Sequence, residues 1–190
     1  MFLLGHLGLT LALVVGARRR FVDLRVDYRV LLAAALLPDL IDKPLSLAFG
    51  IGGRSYGHTL LFAVTLTGLF LLARSWPVIR RPGTIGAAAL LPLAIGTWTH
   101  LLLDRMWALP EILFWPFLGF AFPVDPFDLS KLLLAYQDPY VLVGDVLGAV
   151  ALGFLVWRHR VYRRANLLRV LRRGRLERGT KRLPPSAGRG

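Results

Sequence analysis

Five stretches of the chain are almost wholly apolar, and charge, proline or glycine marks their borders. Residues 1–17 read MFLLGHLGLTLALVVGA and end at Arg18, Arg19 and Arg20. Residues 29–41 contain VLLAAALLPDLI, residues 57–73 read GHTLLFAVTLTGLFLLA, and residues 84–104 close on GTWTHLLLD. Residues 139–157 read PYVLVGDVLGAVALGFLVW. None of these shows the strict alternation of a half-buried strand, and their apolar character runs all round rather than along one stripe. Each predicts a helix in an apolar surrounding. The second is short, and Pro38 breaks or ends it, because proline lacks a donor and its ring collides with the preceding turn. A glycine-rich loop, GIGGRSYG at 50–57, follows the second stretch. A proline- and aromatic-rich stretch, 110–127, separates the fourth from the fifth and suits the headgroup zone or a re-entrant segment. There is no internal repeat.

Composition turns these helices into membrane spans. Of the 190 residues, 55% are hydrophobic and the mean hydropathy is +0.56, too apolar for an ordinary soluble domain of this length. The predicted fold is all-α, a polytopic membrane bundle of about five spans over residues 1–157. Charge follows the first apolar run instead of preceding it, which predicts a retained helix rather than a cleaved leader. The absence of cysteine excludes a disulfide framework and a thiolate metal site.

The net charge of +13 gains its meaning from where the charges lie. With the N-terminus outside, 20 of the 24 basic residues fall on cytoplasmic segments, as the positive-inside rule requires. The expected location is the inner (plasma) membrane, multi-pass, with a cytoplasmic C-terminus. The basic tail, 158–190, interleaves Val161, Leu167, Leu168, Val170, Leu171 and Leu176 with arginines. It predicts an amphipathic helix that binds anionic lipid, with a disordered end after about residue 174. No nucleic-acid partner is expected.

The same topology gathers the unusual polar residues at one face. His6 lies in the first turns of span one, Asp39 and Asp42 at the outer end of span two, and His58 at the start of span three. His100 and Asp104 finish span four, sharing one helix face at a spacing of i, i+4. Ionisable groups near a bilayer core are costly and mark functional sites. Neutral imidazole with carboxylate is the ligand mix of a divalent cation, Zn²⁺ first and Mn²⁺ or Fe²⁺ next. Such an ion would offset the carboxylates, and a carboxylate outside the ligand shell would orient or deprotonate water. Arg54 is the residue to hold an anionic substrate group. Each has a plainer reading. A lone outer histidine hydrogen-bonds at the interface, Asp39 caps a turn, Asp104 pairs with Arg105, and Arg54 anchors the loop. Trp98, Trp107 and Trp115 read as an interfacial belt. Asp145, near the start of span five, either lines the same cavity or hydrogen-bonds a neighbouring helix.

The ordered set of His6, LLPDLIDKP at 36–44, GRSYGHTLL at 53–61, THLLLDRMW at 99–107 and PEILFWPFLGF at 110–120 resembles the YdjM-type membrane-bound metal-dependent hydrolases. The likeness covers roughly residues 1–157. It implies a metal-dependent hydrolase of the inner membrane, with His6, Asp39, Asp42, His58, His100 and Asp104 at the family's polar positions. Some relatives are described as LexA-binding, which no residue here supports. Gly53 stands where many members have a histidine ahead of the arginine, so a second metal using that histidine is not carried over. The expected reaction is hydrolysis of an ester or phosphoester, of a small-molecule, lipid or envelope-linked substrate, at the outer face. The alternatives are an ion-binding or proton-relaying cluster without hydrolysis, and a membrane scaffold that uses the basic tail.

Overall fold

The computed structural model describes residues 2–18, 26–75, 85–123, 130 and 134–176, with no strand among them. The expected disordered end of the tail lies largely outside these residues, as do Arg19, Arg20, Arg80 and Arg81. Eight α-helices are described: α1 (Leu3–Ala17), α2 (Tyr28–Ala34), α3 (Leu37–Phe49), α4 (Leu60–Ser75), α5 (Ile85–Leu103), α6 (Pro110–Leu113), α7 (Pro139–Arg158) and α8 (Arg164–Arg173). Short 3₁₀ turns at Tyr56–His58 and Met106–Ala108 precede α4 and α6. The all-α class is therefore as expected.

The second apolar stretch is two helices. α2 starts on Asp27, whose side chain accepts from the Arg29 amide. It ends at Ala34, and α3 opens with Pro38 in its first turn, where a missing N–H costs nothing. α3 then runs past the expected end at 41 to Phe49 and stops at Gly50, in the left-handed conformation with φ +67°. One described helix, Pro139–Arg158, is long and apolar enough to cross a membrane, while Leu3–Ala17, Leu60–Ser75 and Ala89–Leu103 are shorter apolar helices.

The distribution of polarity is inverted relative to a water-soluble protein. His6, Thr10, Asp42, Ser55, His58, Thr97 and His100 are essentially inaccessible, whereas Leu72, Phe117, Phe120, Val150 and Trp157 are each at least 60% exposed. So much apolar surface around a polar interior suits a hydrocarbon solvent. α5 is the central helix, touching α1, α2, α3 and α4, while α1 packs along α7. The α1–α7 crossing is glycine on glycine. A Cβ on Gly148 would lie 2.5 Å from the Cα of Gly5, and one on Gly8 would collide with the Gly148 carbonyl. Small residues that let backbones touch are the usual means of joining helices in lipid. α2 meets α5 as closely, since a Cβ on Gly96 would fall 2.7 Å from the Ala34 carbonyl carbon.

The N-terminal ends of α1, α4 and α7 meet the C-terminal end of α5. Asp145 of α7 accepts from the amides of Phe2 (3.1 Å) and Gly5 (2.9 Å), and the Tyr140 hydroxyl donates to the Leu103 carbonyl at 2.8 Å. At the opposite end Arg18 donates to the Tyr28 hydroxyl, and the Tyr28 amide donates to the Gly174 carbonyl.

Candidate metal centre

His58 is the hub. Asp39 and Asp42, three residues apart on α3, share a face and reach the two nitrogens of its ring. Asp42 Oδ2 lies 2.6 Å from Nδ1, and Asp39 Oδ1 lies 3.7 Å from Nε2. The loop is brought this close by Gly57, whose Cβ, if it had one, would meet the Pro38 backbone at 2.8 Å. Asp42 also accepts the amides of Ser55 (2.7 Å) and Gly57 (2.9 Å), and its side chain is fully buried. A carboxylate accepts only, so the Nδ1 of His58 carries the proton.

His100 is fixed in the same tautomer by a different partner. Its Nδ1 lies 2.7 Å from the carbonyl of Ala35, at the break between α2 and α3. A carbonyl can only accept, so here too the proton is on Nδ1. The two Nε2 atoms then face each other at 3.1 Å. In neutral rings both carry a lone pair there, an arrangement that repels unless a cation lies between them.

The other groups close around this pair. The ring of His6 stacks on His100 with centroids 4.0 Å apart, and the Thr10 and Thr99 hydroxyls hydrogen-bond beside them at 3.1 Å. His6 Nε2 lies 3.0 Å from Asp104 Oδ1, and Asp104 Oδ2 lies 3.7 Å from His58 Nε2. Two sets offer ligand atoms within 4.8 Å of one another: His6, Asp39 and His100, and His58, His100 and Asp104. Bonds of about 2.0–2.1 Å to a tetrahedral ion put ligand atoms about 3.3 Å apart. The spacings of 3.0, 3.1 and 3.7 Å bracket that value, and a nitrogen and oxygen donor set fits a borderline divalent cation.

Two cations stand at the rim. Arg54 donates through Nε to Asp104 Oδ2 at 3.2 Å, and Lys43 donates to Asp39 Oδ2 at 2.8 Å. Their side chains are 45% and 36% exposed, against 4% for Asp104.

The residues singled out in the sequence thus lie in two layers. His6, Asp39, His58, His100 and Asp104 form two overlapping sets of three possible ligands that share His100. Asp42 instead spends both oxygens on three donors behind His58. Asp145 does not line this centre. It accepts the first amides of α1 and the Tyr136 hydroxyl at 3.2 Å, so it holds the helix that carries His6. The Ala35 carbonyl was not legible beforehand, because a backbone acceptor is released only where the chain breaks. The one available signal was Pro38.

A family model described as YdjM inner membrane protein matches residues 1–168. The chain belongs to the YdjM inner membrane protein family. That membership makes it a membrane protein and accounts for the apolar exterior. No curated protein and no solved structure matches the chain.

Proposed function

We propose that this YdjM-family protein is a membrane-bound, metal-dependent hydrolase of an ester or phosphoester. The observation that carries the reading is the pair of Nε2 atoms, His58 and His100, 3.1 Å apart with both ring protons committed elsewhere. A shared proton would reconcile two imidazoles. It would not account for a third imidazole and two carboxylates with ligand atoms in the two sets that share His100.

His6, His58, His100 and Asp104 would hold the cation, with Asp39 beside them; Zn²⁺ suits the donor set best. When bound, a divalent cation polarises an ester or phosphoryl oxygen and lowers the pKa of water. The chain supplies the rest. Asp42 and the Ala35 carbonyl keep the protons of His58 and His100 on Nδ1 and aim both Nε2 lone pairs inward, as partners behind metal-binding histidines do. Asp39 is the group to accept a proton, because one oxygen is held by Lys43 while the carboxylate stays 20% exposed. Asp42 has no oxygen left for that role. Arg54 supplies positive charge for an anionic substrate group. The proposed topology keeps the N-terminus outside and this end of the bundle at the outer face, with the tail on anionic lipid inside.

The second reading, an ion site or proton relay without hydrolysis, shares the same centre. The buried histidines and carboxylates among the described residues all lie at one end of the bundle, which favours a one-sided site over a relay. Turnover separates the two. Protein loaded with Zn²⁺ is expected to hydrolyse members of a panel of lipid phosphoesters and carboxylic esters, and His100→Ala is expected to be inactive. Loaded wild type that turns over none of the panel overturns the hydrolase reading and leaves the ion site.

A further inference from the structure

The segment that follows the centre carries apolar surface of an unusual kind. Phe117 and Phe120 are 82% and 84% exposed, and both lie in a stretch of turns rather than on a long helix. The stretch is not detached. Ile112 is buried with Leu101 and Met106, and Phe122 packs against that cluster. A Cβ on Gly52 would meet the Pro123 carbonyl at 2.5 Å, so the two loops touch. Trp115 and Phe122 stack at 5.4 Å, and both meet the Tyr56 ring edge-on, at 5.3 and 4.9 Å. Tyr56 lies two residues from Arg54 on one side and two from His58 on the other. Trp115 Nε1 donates to the Phe120 carbonyl at 3.1 Å, so an aromatic path of Trp115, Phe122 and Tyr56 links the segment of the bare phenylalanines to the rim of the centre.

The two ends of this path differ in chemistry. At the inner end Arg54 grips Asp104 by Nε alone. Its two terminal nitrogens make no hydrogen bond within the described residues, and the side chain is 45% exposed. Lys43 pairs with Asp39 at 2.8 Å. With a divalent ion added, Arg54 and Lys43 leave the centre net positive against Asp39, Asp42 and Asp104. At the outer end, Phe117 and Phe120 are bare aromatic side chains of the kind that suits a membrane interface.

We infer that the substrate is a membrane lipid with a phosphate monoester headgroup, entering sideways along Tyr56, Trp115 and Phe122 until its phosphate reaches Arg54. The inference rests on the hydrolase reading for what happens next, but not for the binding itself. Specificity comes from a dianion at one end and an alkyl chain at the other.

The test uses the full chain, Zn²⁺-loaded, in phosphatidylcholine nanodiscs with a long-chain lipid phosphate carrying a photoreactive acyl group. Crosslinks are expected within 107–122 and are to be competed by unlabelled lipid phosphate but not by inorganic phosphate. Arg54→Gln is expected to cut labelling at least about tenfold, the cost of a charge-assisted hydrogen-bond pair. Phe117→Ser with Phe120→Ser, both exposed and dispensable for packing, is expected to do so by about tenfold from lost apolar burial. Labelling spread over α4 and α7, insensitive to Arg54, means boundary lipid and overturns the inference. Equal competition by inorganic phosphate overturns the lipid source. Proper labelling without hydrolysis fails the catalytic reading alone; hydrolysis of soluble esters without labelling fails the lipid path alone.

Discussion

Replacing Asp42 by asparagine tests whether the tautomer of His58 is imposed from behind. The carboxylate accepts from Ser55 N (2.7 Å), Gly57 N (2.9 Å) and His58 Nδ1 (2.6 Å) in a fully buried position. An amide has one oxygen and one NH₂, so whichever way it turns, the NH₂ faces at least one of three donors. Turned one way it opposes Gly57; turned the other it opposes Ser55 and His58, and His58 then moves its proton to Nε2. A buried donor left opposed costs about 1–3 kcal/mol. Removing a partner behind a metal-binding histidine lowers affinity about 10–100-fold. Asp42→Asn is therefore expected to bind Zn²⁺ about 10–100-fold more weakly while keeping its stoichiometry, measured by chelator competition on protein that is folded by circular dichroism. A folded variant whose affinity lies within twofold of wild type refutes the argument that Asp42 orients a ligand.

Three further outcomes follow from the packing. Gly8→Leu drives a side chain into the Gly148 carbonyl and is expected to lower thermal stability in detergent by several degrees, since overpacking costs about 1–3 kcal/mol; an unchanged melting point contradicts the glycine crossing. Asp145→Leu leaves the Phe2 and Gly5 amides without their acceptor and is expected to weaken metal binding through displaced His6. Asp145→Asn, which keeps one acceptor, is expected to restore most of it; equal loss in both variants contradicts a positioning role. At the far end, the Arg29 guanidinium grips Asp27 and donates to the Leu171 and Arg172 carbonyls at the end of α8. That pairing holds the Asp27 carboxyl below its ordinary value of 3.8. A depressed carboxylate stabilises above its ordinary value and loses that contribution as pH falls through the lower folded value. Docking of α8 is thus expected to be intact at neutral pH, to loosen in acid below about pH 4, and to loosen in Asp27→Asn at any pH, read as amide exchange across residues 164–173.

Helix positions were legible because apolar runs bounded by charge leave few choices. α1, α5 and α7 lie within two residues of the stretches that predict them, and α4 within three. The second stretch was harder: Pro38 marks a break, but whether α3 resumes depends on tertiary contacts, and it does resume through Asp39 and Asp42. Five crossings were expected, and one described helix has the length and composition for it. The proximity of His6, His58, His100 and Asp104 was foreshadowed by the expected topology, in which each begins or ends a run at the same face. What a pattern cannot convey is which atom of a side chain is already engaged. Asp39 and Asp42 look equivalent at i, i+3, yet one approaches the Nε2 of His58 and the other its Nδ1 proton. Asp145 looked like either a cavity residue or a helix–helix hydrogen bond, and only the placement of α1 against α7 decides for the latter.

The central claim is that three imidazoles and two carboxylates from separate segments enclose a divalent cation. Its most direct measurement is metal content by mass spectrometry of protein purified without chelator, for wild type and for the His58→Ala, His100→Ala double variant in parallel. The account predicts close to stoichiometric metal in the wild type and loss of it in a double variant that still folds. Wild type carrying no more divalent metal than the variant, even after incubation with Zn²⁺, contradicts it.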